Sequence, residues 1–217
     1  MCLFKIVFVI VSFLLPPCLF AQQYTVVNGQ KEFADLADWG AYHGGEFSFG
    51  MGVTSSPNSP DGGGNYTKNG AVVGGTWLVT MTPHISSGFD YTYAGFRTPA
   101  PVQNVRYTLE AQEVFAAFKL KWDIAPRFRL YLPVGLGAAY LSLTQRKDGM
   151  ELKRGKWAFA AYGGAGAEVD LTPTVFVGLE YRYVQPFIQT GDLDPMAGSS
   201  RYFQMHHFFL RLGKRFS

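Results

Sequence analysis

The chain has 217 residues, of which 47% are hydrophobic, 16% aromatic and only 16% charged, with a formal net charge of +3. Soluble domains carry roughly 25% charged residues and disordered chains contain few aromatic residues, so this composition excludes disorder and is unusual for a soluble domain. The 25 glycines and 19 phenylalanines disfavour a long helical bundle, and the small net charge gives no indication of a nucleic-acid partner.

Residues 1–21 have the pattern of a secretory signal peptide. Lys5 supplies the positive start, an apolar stretch follows it, and Ala21 is a plausible last residue before cleavage. The apolar stretch is shorter than the ~20 residues that a spanning helix needs. We therefore predict export through the inner membrane, with the cleavage site defined only to within a few residues.

Both cysteines, Cys2 and Cys18, lie in this first segment. The exported chain would then contain no disulfide, although small secreted domains commonly depend on them. A lipoprotein signal ending at Cys18 is the alternative interpretation, but small residues do not precede that cysteine. Residues 22–42 are predicted to form a short periplasmic arm.

From residue 43 onward, apolar and polar residues alternate, which is typical of strands with two different faces. In 175–184, for example, the odd positions are apolar or aromatic, whereas the even positions include Glu180 and Arg182. Each such segment is long enough to cross a bilayer as a tilted strand, which takes about 9–11 residues. The eight predicted strands are 43–54, 70–82, 85–96, 105–124, 127–144, 156–171, 174–187 and 203–216.

The connections between these strands alternate in length. Tight turns are centred on Pro83, Pro126 and Pro173, and the longer polar connections are 55–69, 97–104, 145–155 and 188–202. Short turns at one end and long loops at the other characterise outer-membrane barrels. Because every backbone polar group must be paired in hydrocarbon, such strands have to close into a ring. We therefore predict an all-β fold, an eight-stranded antiparallel up-and-down transmembrane β-barrel over residues 43–217, with a soluble β-sandwich as the alternative.

The polar faces of the predicted strands indicate what fills the barrel. An eight-stranded barrel is narrow enough to be filled by its own side chains, and buried charges have to be paired. The facing assignments place five acids and five bases inside, which favours an ion-pair network over a wide pore or an apolar acyl pocket. These ten residues are Glu46, Asp90, Glu113, Lys119, Lys121, Arg129, Glu168, Glu180, Arg182 and Arg211.

Three segments resemble the small outer-membrane barrels of the OmpA, OmpX and opacity-protein type: RLYLPVGLGAAYLSL (129–143), AYGGAGAEVDLTPTVFVGLEYRYV (161–184) and FFLRLGKRF (208–216). The resemblance implies a monomer in the cell outer membrane, surrounded by outer-membrane lipid and lipopolysaccharide. It also implies insertion by the barrel-assembly machinery, which reads an aromatic residue at the end of the last strand; Phe216 would carry that signal. Such proteins commonly serve adhesion, surface protection or envelope integrity, and seldom catalysis.

Two local patterns would suit a lipid A-modifying barrel enzyme. His84, Ser86 and Asp90 could serve as base, nucleophile and orienting acid, but His84 is predicted to lie in a periplasmic turn, away from outer-leaflet lipid. Residues 31–39 could form an amphipathic helix before the first barrel strand, as in acyltransferase-like barrels. Neither pattern outweighs a structural reading, so we predict no catalytic residue, no metal site and no cofactor.

The predicted function is a structural, adhesive or envelope-integrity role carried by extracellular loops whose ligand the sequence does not identify. A narrow porin-like channel or small-ligand carrier is the second hypothesis, and a lipid A-modifying enzyme is the third.

Overall fold

The computed structural model describes residues 25–27, 30–32, 44–56, 69–97, 105–147, 149–193 and 202–216. The predicted signal peptide and much of the predicted arm lie outside these ranges and stay predictions. The chain divides into two units, residues 1–39 and 40–217. In the first unit, strands β1 (Thr25–Val27) and β2 (Gln30–Glu32) pair antiparallel. The helix considered over 31–39 therefore does not begin at residue 31, and residues 33–39 are not described.

The second unit is an eight-stranded barrel in which each strand pairs antiparallel with the next and β10 returns to β3. This confirms the predicted all-β, up-and-down architecture and excludes the sandwich, because the sheet has no edge strand. Its strands are β3 (Gly45–Ser55), β4 (Asn69–Thr82), β5 (Ile85–Arg97), β6 (Val105–Ala125), β7 (Phe128–Lys147), β8 (Met150–Asp170), β9 (Val175–Pro186) and β10 (Met205–Phe216).

The alternation of the sequence becomes the inside and outside of the barrel. On β3, Phe49 and Val53 are 46% and 62% exposed, whereas their polar neighbours Ser48 and Thr54 are buried. Successive side chains of a strand point to opposite faces, so every strand contributes one apolar row to the outer surface. The barrel thus presents a continuous apolar exterior and a largely polar interior.

The two ends of the barrel differ. Tight turns at 83–84, 126–127 and 171–174 connect strands at one end, which we call the turn end. The strand ends that are joined through residues 56–68, 98–104, 148–149 and 187–204 lie at the opposite end, which we call the loop end. Aromatic side chains lie on the exterior near both ends of the barrel. Trp77 and Trp122 lie near the turn end, and Trp157 packs against Tyr140 near the loop end, with ring centres 5.2 Å apart and planes tilted by 46°.

One predicted loop is wrong. Residues 145–155 are not an open connection, because β7 continues to Lys147 and β8 starts at Met150. Gly149 closes this hairpin with a φ of +82°, a conformation that favours glycine. Past the aromatic level, apolar and polar residues no longer alternate in these strands: Met150 and Leu152 share a face of β8 with Arg154 and Lys156. Backbone pairing persists there without the alternation on which the sequence-based boundary depended.

Among the described residues of the second unit, one short helical turn, α1 (Thr190–Leu193), lies in the connection before β10. Across the described part of the chain, no helix has the length and apolar character needed to cross a membrane.

Candidate functional site

The barrel interior holds all ten residues predicted to face the lumen. Nine of them are buried, and Arg129 is partly exposed at the turn end. Eight of them form a central cluster and a turn-end cluster, Lys121 lies near the turn-end cluster, and Glu113 lies apart from both.

The central cluster consists of Asp90, Glu180, Arg182 and Arg211. The Arg182 guanidinium binds both carboxylate oxygens of Asp90, at 2.6 and 2.7 Å, and its Nε also donates to Glu180. Arg211 Nη2 lies 2.9 Å from Glu180 and 3.8 Å from Asp90. Two acids and two bases therefore neutralise each other in a site with almost no solvent, which is the geometry a buried charge requires.

Neutral side chains complete this cluster. Thr76 donates to Asp90 and accepts from Arg211 Nη1 at 2.8 Å, and Tyr131 donates to Glu180 at 2.9 Å. The Arg182 guanidinium lies 4.4 Å from the centre of the Tyr162 ring, within the range of a cation–π contact. Rings and hydroxyls thus occupy the space that the ion pairs leave.

The turn-end cluster is built around Lys119 and Glu168. The Lys119 ammonium contacts Glu46 at 2.6 Å and Glu168 at 2.7 Å. Glu168 also accepts from Arg129 at 2.9 Å and from Arg215 at 2.6 Å. Lys119 and Arg215 thereby join strands that are not neighbours in the sheet, whereas Arg129 binds an acid on the adjacent strand.

Three further residues belong to the interior network but were not among the predicted ten. Arg215 and Asp170 pair with each other at the turn end, and His207 lies 3.2 Å from Glu113. Arg215 follows Arg211 by four residues on the same face of β10, and Asp170 follows Glu168 by two on β8, so strict alternation would have found both. His207 carries no fixed charge, and its role is evident only from its contacts with Glu113 and Thr54.

Lys121 is buried on the same face of β6 as Lys119, two residues nearer the turn end. It adds a positive charge close to the turn-end cluster. Between the two clusters is a void of about 20 Å³, lined by polar groups including Glu46, Tyr131 and Arg211. A water molecule needs at least about 10–15 Å³ of such space, so the void accommodates one water rather than a solute.

At the loop end the interior is apolar, which the sequence did not predict. We call this layer the apolar plug; its wall residues Phe96, Leu109, Leu141 and Met205 are fully buried. The polar interior therefore ends at the level of Glu113 and His207. The predicted ion-pair network therefore fills only part of the lumen, because at this level strands such as β7 direct apolar residues, including Leu141, inward.

The connection between β9 and β10 covers the plug. Ile188, Leu193 and Phe203 are buried against it, and Phe203 packs edge-on against Phe96 with ring centres 6.4 Å apart. A backbone hydrogen bond joins the two ends of this connection, since Phe203 N donates to Ile188 O at 3.1 Å.

A surface ion pair also joins the connection between β9 and β10 to strand β8. Asp192 accepts from Lys156 at 3.0 Å. This hydrogen bond holds the pKa of Asp192 below its usual value.

The residues considered for catalysis do not form a relay. His84 lies in the turn between β4 and β5, where its Nδ1 is 3.2 Å from Lys121 O. Ser86 Oγ donates to Thr80 at 3.4 Å, and Asp90 is engaged by Arg182. Among the hydrogen bonds of the described residues, none links His84 with Ser86 or Asp90, so these side chains lack the geometry of a nucleophile and its base.

Comparison with known proteins agrees with this architecture. Among solved structures, a major outer membrane protein from Thermus thermophilus has a TM-score of 0.51 at 10% identity, covering 79% of this chain and 99% of that one. Neisserial surface protein A has a TM-score of 0.49 at 11% identity, covering 79% and 95%. Ail, the attachment invasion locus protein of Yersinia pestis, has a TM-score of 0.48 at 18% identity, covering 79% and 99%. At these identities the likeness concerns the fold alone.

A comparison with curated proteins found no match. The family model described as "Outer membrane protein beta-barrel domain" matches residues 28–201, which is most of the chain. The chain therefore belongs to the outer membrane protein beta-barrel domain family, whose members reside in the cell outer membrane.

Proposed function

We propose that this protein is a sealed outer-membrane barrel with a structural, adhesive or envelope-integrity role, carried by its loop-end surfaces rather than by its lumen. The observation that carries the proposal is the filled interior. An ion-pair network fills the centre and the turn end of the barrel, and the apolar plug fills the loop end.

The central cluster crosses the lumen from wall to wall. In the ring order of the strands, β5 and β9 lie opposite each other, and the two bonds between Arg182 and Asp90 join them. The turn-end cluster makes a second crossing, since Lys119 on β6 binds both Glu46 on β3 and Glu168 on β8. A solute moving along the axis would have to break buried ion pairs, each of which is costly to separate.

The apolar plug forms a further barrier. Ions cross apolar constrictions only when these are wetted, and a closely packed apolar layer excludes water. Phe96, Leu141 and Phe203 fill this level, each no more than 2% exposed. We therefore rank a channel or a ligand carrier below a structural role.

In outer-membrane barrels the short turns face the periplasm and the longer loops face outward. On that rule, the β7–β8 hairpin and the connections 56–68, 98–104 and 187–204 are extracellular, and any adhesive ligand would bind there. We also propose that the barrel-assembly machinery recognises Phe216, whose ring is 47% exposed on the exterior of β10, opposite Gly45 of the strand that closes the barrel.

Planar-bilayer recording tests the sealed barrel. The purified full chain should give no discrete current steps. Steps that change when Arg182 is replaced by Gln would contradict the proposal and favour a channel.

A cell assay separates the remaining alternatives. Cells that express a variant with residues 57–68 and 98–104 replaced by short Gly-Ser linkers should lose adherence or detergent resistance relative to wild type, while unboiled barrel still shows its folded gel mobility. A changed lipid A mass spectrum that Ser86→Ala abolishes would instead support the enzyme.

A further inference from the structure

The loop-end hairpin carries a concentrated set of positive charges. We define the basic hairpin as residues 141–147 of β7 and 150–156 of β8, which pair beyond the Tyr140–Trp157 rung. It contains five basic side chains against one described acid, Glu151. The basic residues are Arg146, Lys147, Lys153, Arg154 and Lys156.

Alternation along β7 and β8 divides these charges between two sides. Lys153 shares the outward side with Trp157, four residues away on β8, and Arg146 shares it with Tyr140 on β7. Lys147, Arg154 and Lys156 lie on the opposite side, where Lys156 is already engaged by Asp192. The outward pair is therefore placed directly above the aromatic residues that mark the membrane surface.

The distance from those rings fits the headgroup layer. Four residues of strand span about 13 Å along the strand, which a tilt of 35–45° reduces to about 10 Å along the membrane normal. Long basic side chains extend back along such a surface while their charged ends stay hydrated. The Tyr140 side chain extends from its backbone toward the loop end. Its hydroxyl oxygen lies over Gly155, where an added Cβ would be 2.0 Å away.

The two outward cations, Lys153 and Arg146, are accessible to a further anionic partner. Arg146 makes an exposed ion pair with Glu151 at 2.8 Å, and within the described residues Lys153 has no ion-pair partner. An ammonium and a guanidinium are the groups that proteins use to bind phosphate, the guanidinium through a two-pronged contact.

We propose that Lys153 and Arg146 form a binding surface for the phosphate groups of an outer-leaflet saccharolipid such as lipid A. The inference deepens the proposed function by naming a lipid partner, and it depends on that function only for the outward orientation of the loop end. A lipid is favoured over a soluble anion because both cations lie on the outward side of the hairpin, beyond Tyr140 and Trp157 on the same faces of their strands.

The test measures binding of diphosphorylated lipid A to the purified full chain in neutral detergent by native mass spectrometry. The double variant Lys153→Gln/Arg146→Gln should bind about tenfold more weakly, since each basic group near an anionic surface contributes severalfold. Lys153→Arg should retain binding. Glu151→Gln should strengthen it, because it releases the Arg146 guanidinium.

Lys214→Gln is the matched control. Lys214 is exposed on the same outer surface but at the turn end, beside Phe216, and its loss should leave lipid A binding unchanged. Dephosphorylated lipid A should bind wild type as weakly as diphosphorylated lipid A binds the double variant.

Equal binding of lipid A by wild type and the double variant would overturn the proposal. So would equal binding of phosphorylated and dephosphorylated lipid A. Displacement of lipid A by equimolar inorganic phosphate would show that the site reads a free anion and not a lipid. Because none of these measurements involves ion conduction or adherence, their failure is distinguishable from failure of the proposed function.

Discussion

Asp90 illustrates how single residues make a charged interior tolerable. Its side chain is fully buried, and Arg182, Thr76 and Thr92 all donate hydrogen bonds to it. A buried ion pair adds little net stability over an apolar pair, whereas removing one partner leaves an uncompensated charge. The consequence is that single and double substitutions at this site should differ in a characteristic way.

Arg182→Met should lower the free energy of unfolding by about 3–5 kcal/mol, because Asp90 is left without its partner. The measurement is urea-induced unfolding in lipid vesicles, followed by gel mobility.

The double variant Arg182→Met/Asp90→Asn serves as the control. It should be less destabilised than Arg182→Met alone, since Glu180 still has Arg211 and Tyr131 at 2.9 Å. If the losses in free energy of unfolding from Arg182→Met and Asp90→Asn simply add in the double variant, the two residues are not energetically coupled.

At the scale of elements, the pairing of β7 with β8 depends on side chains that fit across the inner face. Tyr131 on β7 is directly opposite Gly166 on β8, and the ring lies over the glycine. Only a residue without a side chain permits this approach, because a Cβ at Gly166 would be 2.2 Å from the Tyr131 ring. The ring is thereby held where its hydroxyl reaches Glu180.

Gly166→Ala should destabilise the barrel by about 1–3 kcal/mol, because overpacking displaces the Tyr131 ring. Gly163, on the outward face of the same strand, is the matched control, since a Cβ there meets nothing within 4 Å. Gly163→Ala should be neutral or slightly stabilising. Vesicle unfolding of both variants checks this, and equal losses would show that strand flexibility, not ring packing, accounts for the effect.

For the molecule as a whole, closure of the sheet leaves no edge strand and gives the barrel a band of exposed apolar side chains. Exposed apolar side chains such as Leu136 (59%) and Leu210 (54%) are stable there only in a hydrocarbon environment. On β7 this band extends from Leu130, opposite Trp122 at the turn end, to Tyr140 at the loop end. Leu136 therefore lies near the middle of the membrane and Leu130 near its surface.

Leu136→Arg should cost about 2–4 kcal/mol in phosphatidylcholine vesicles and Leu130→Arg about 0–1 kcal/mol, because the cost of a lipid-facing charge depends on depth. Both substitutions leave the interior unchanged. Equal costs at the two positions, or a folded chain in buffer without surfactant, would show that hydrocarbon does not surround this band.

The number of barrel strands, most of their approximate bounds and the inward facing of the ten charged residues were predictable from the sequence alone. These follow from alternation, which is a local property of any extended chain with unlike faces. That is why Glu180 and Arg182 could be assigned to the interior without a structure. The same pattern missed the outer part of the β7–β8 hairpin, because the two strands keep pairing there after the alternation has ended.

Which charges meet depends on how the barrel closes. Asp90 and Arg182 are 92 residues apart in the chain and face each other because closure of the ring sets β5 opposite β9. The apolar plug is likewise covered by Ile188 and Phe203, which come from a connection without a strand-like alternation. Contacts across a lumen depend on strand number and register around the whole ring, and no local pattern encodes them.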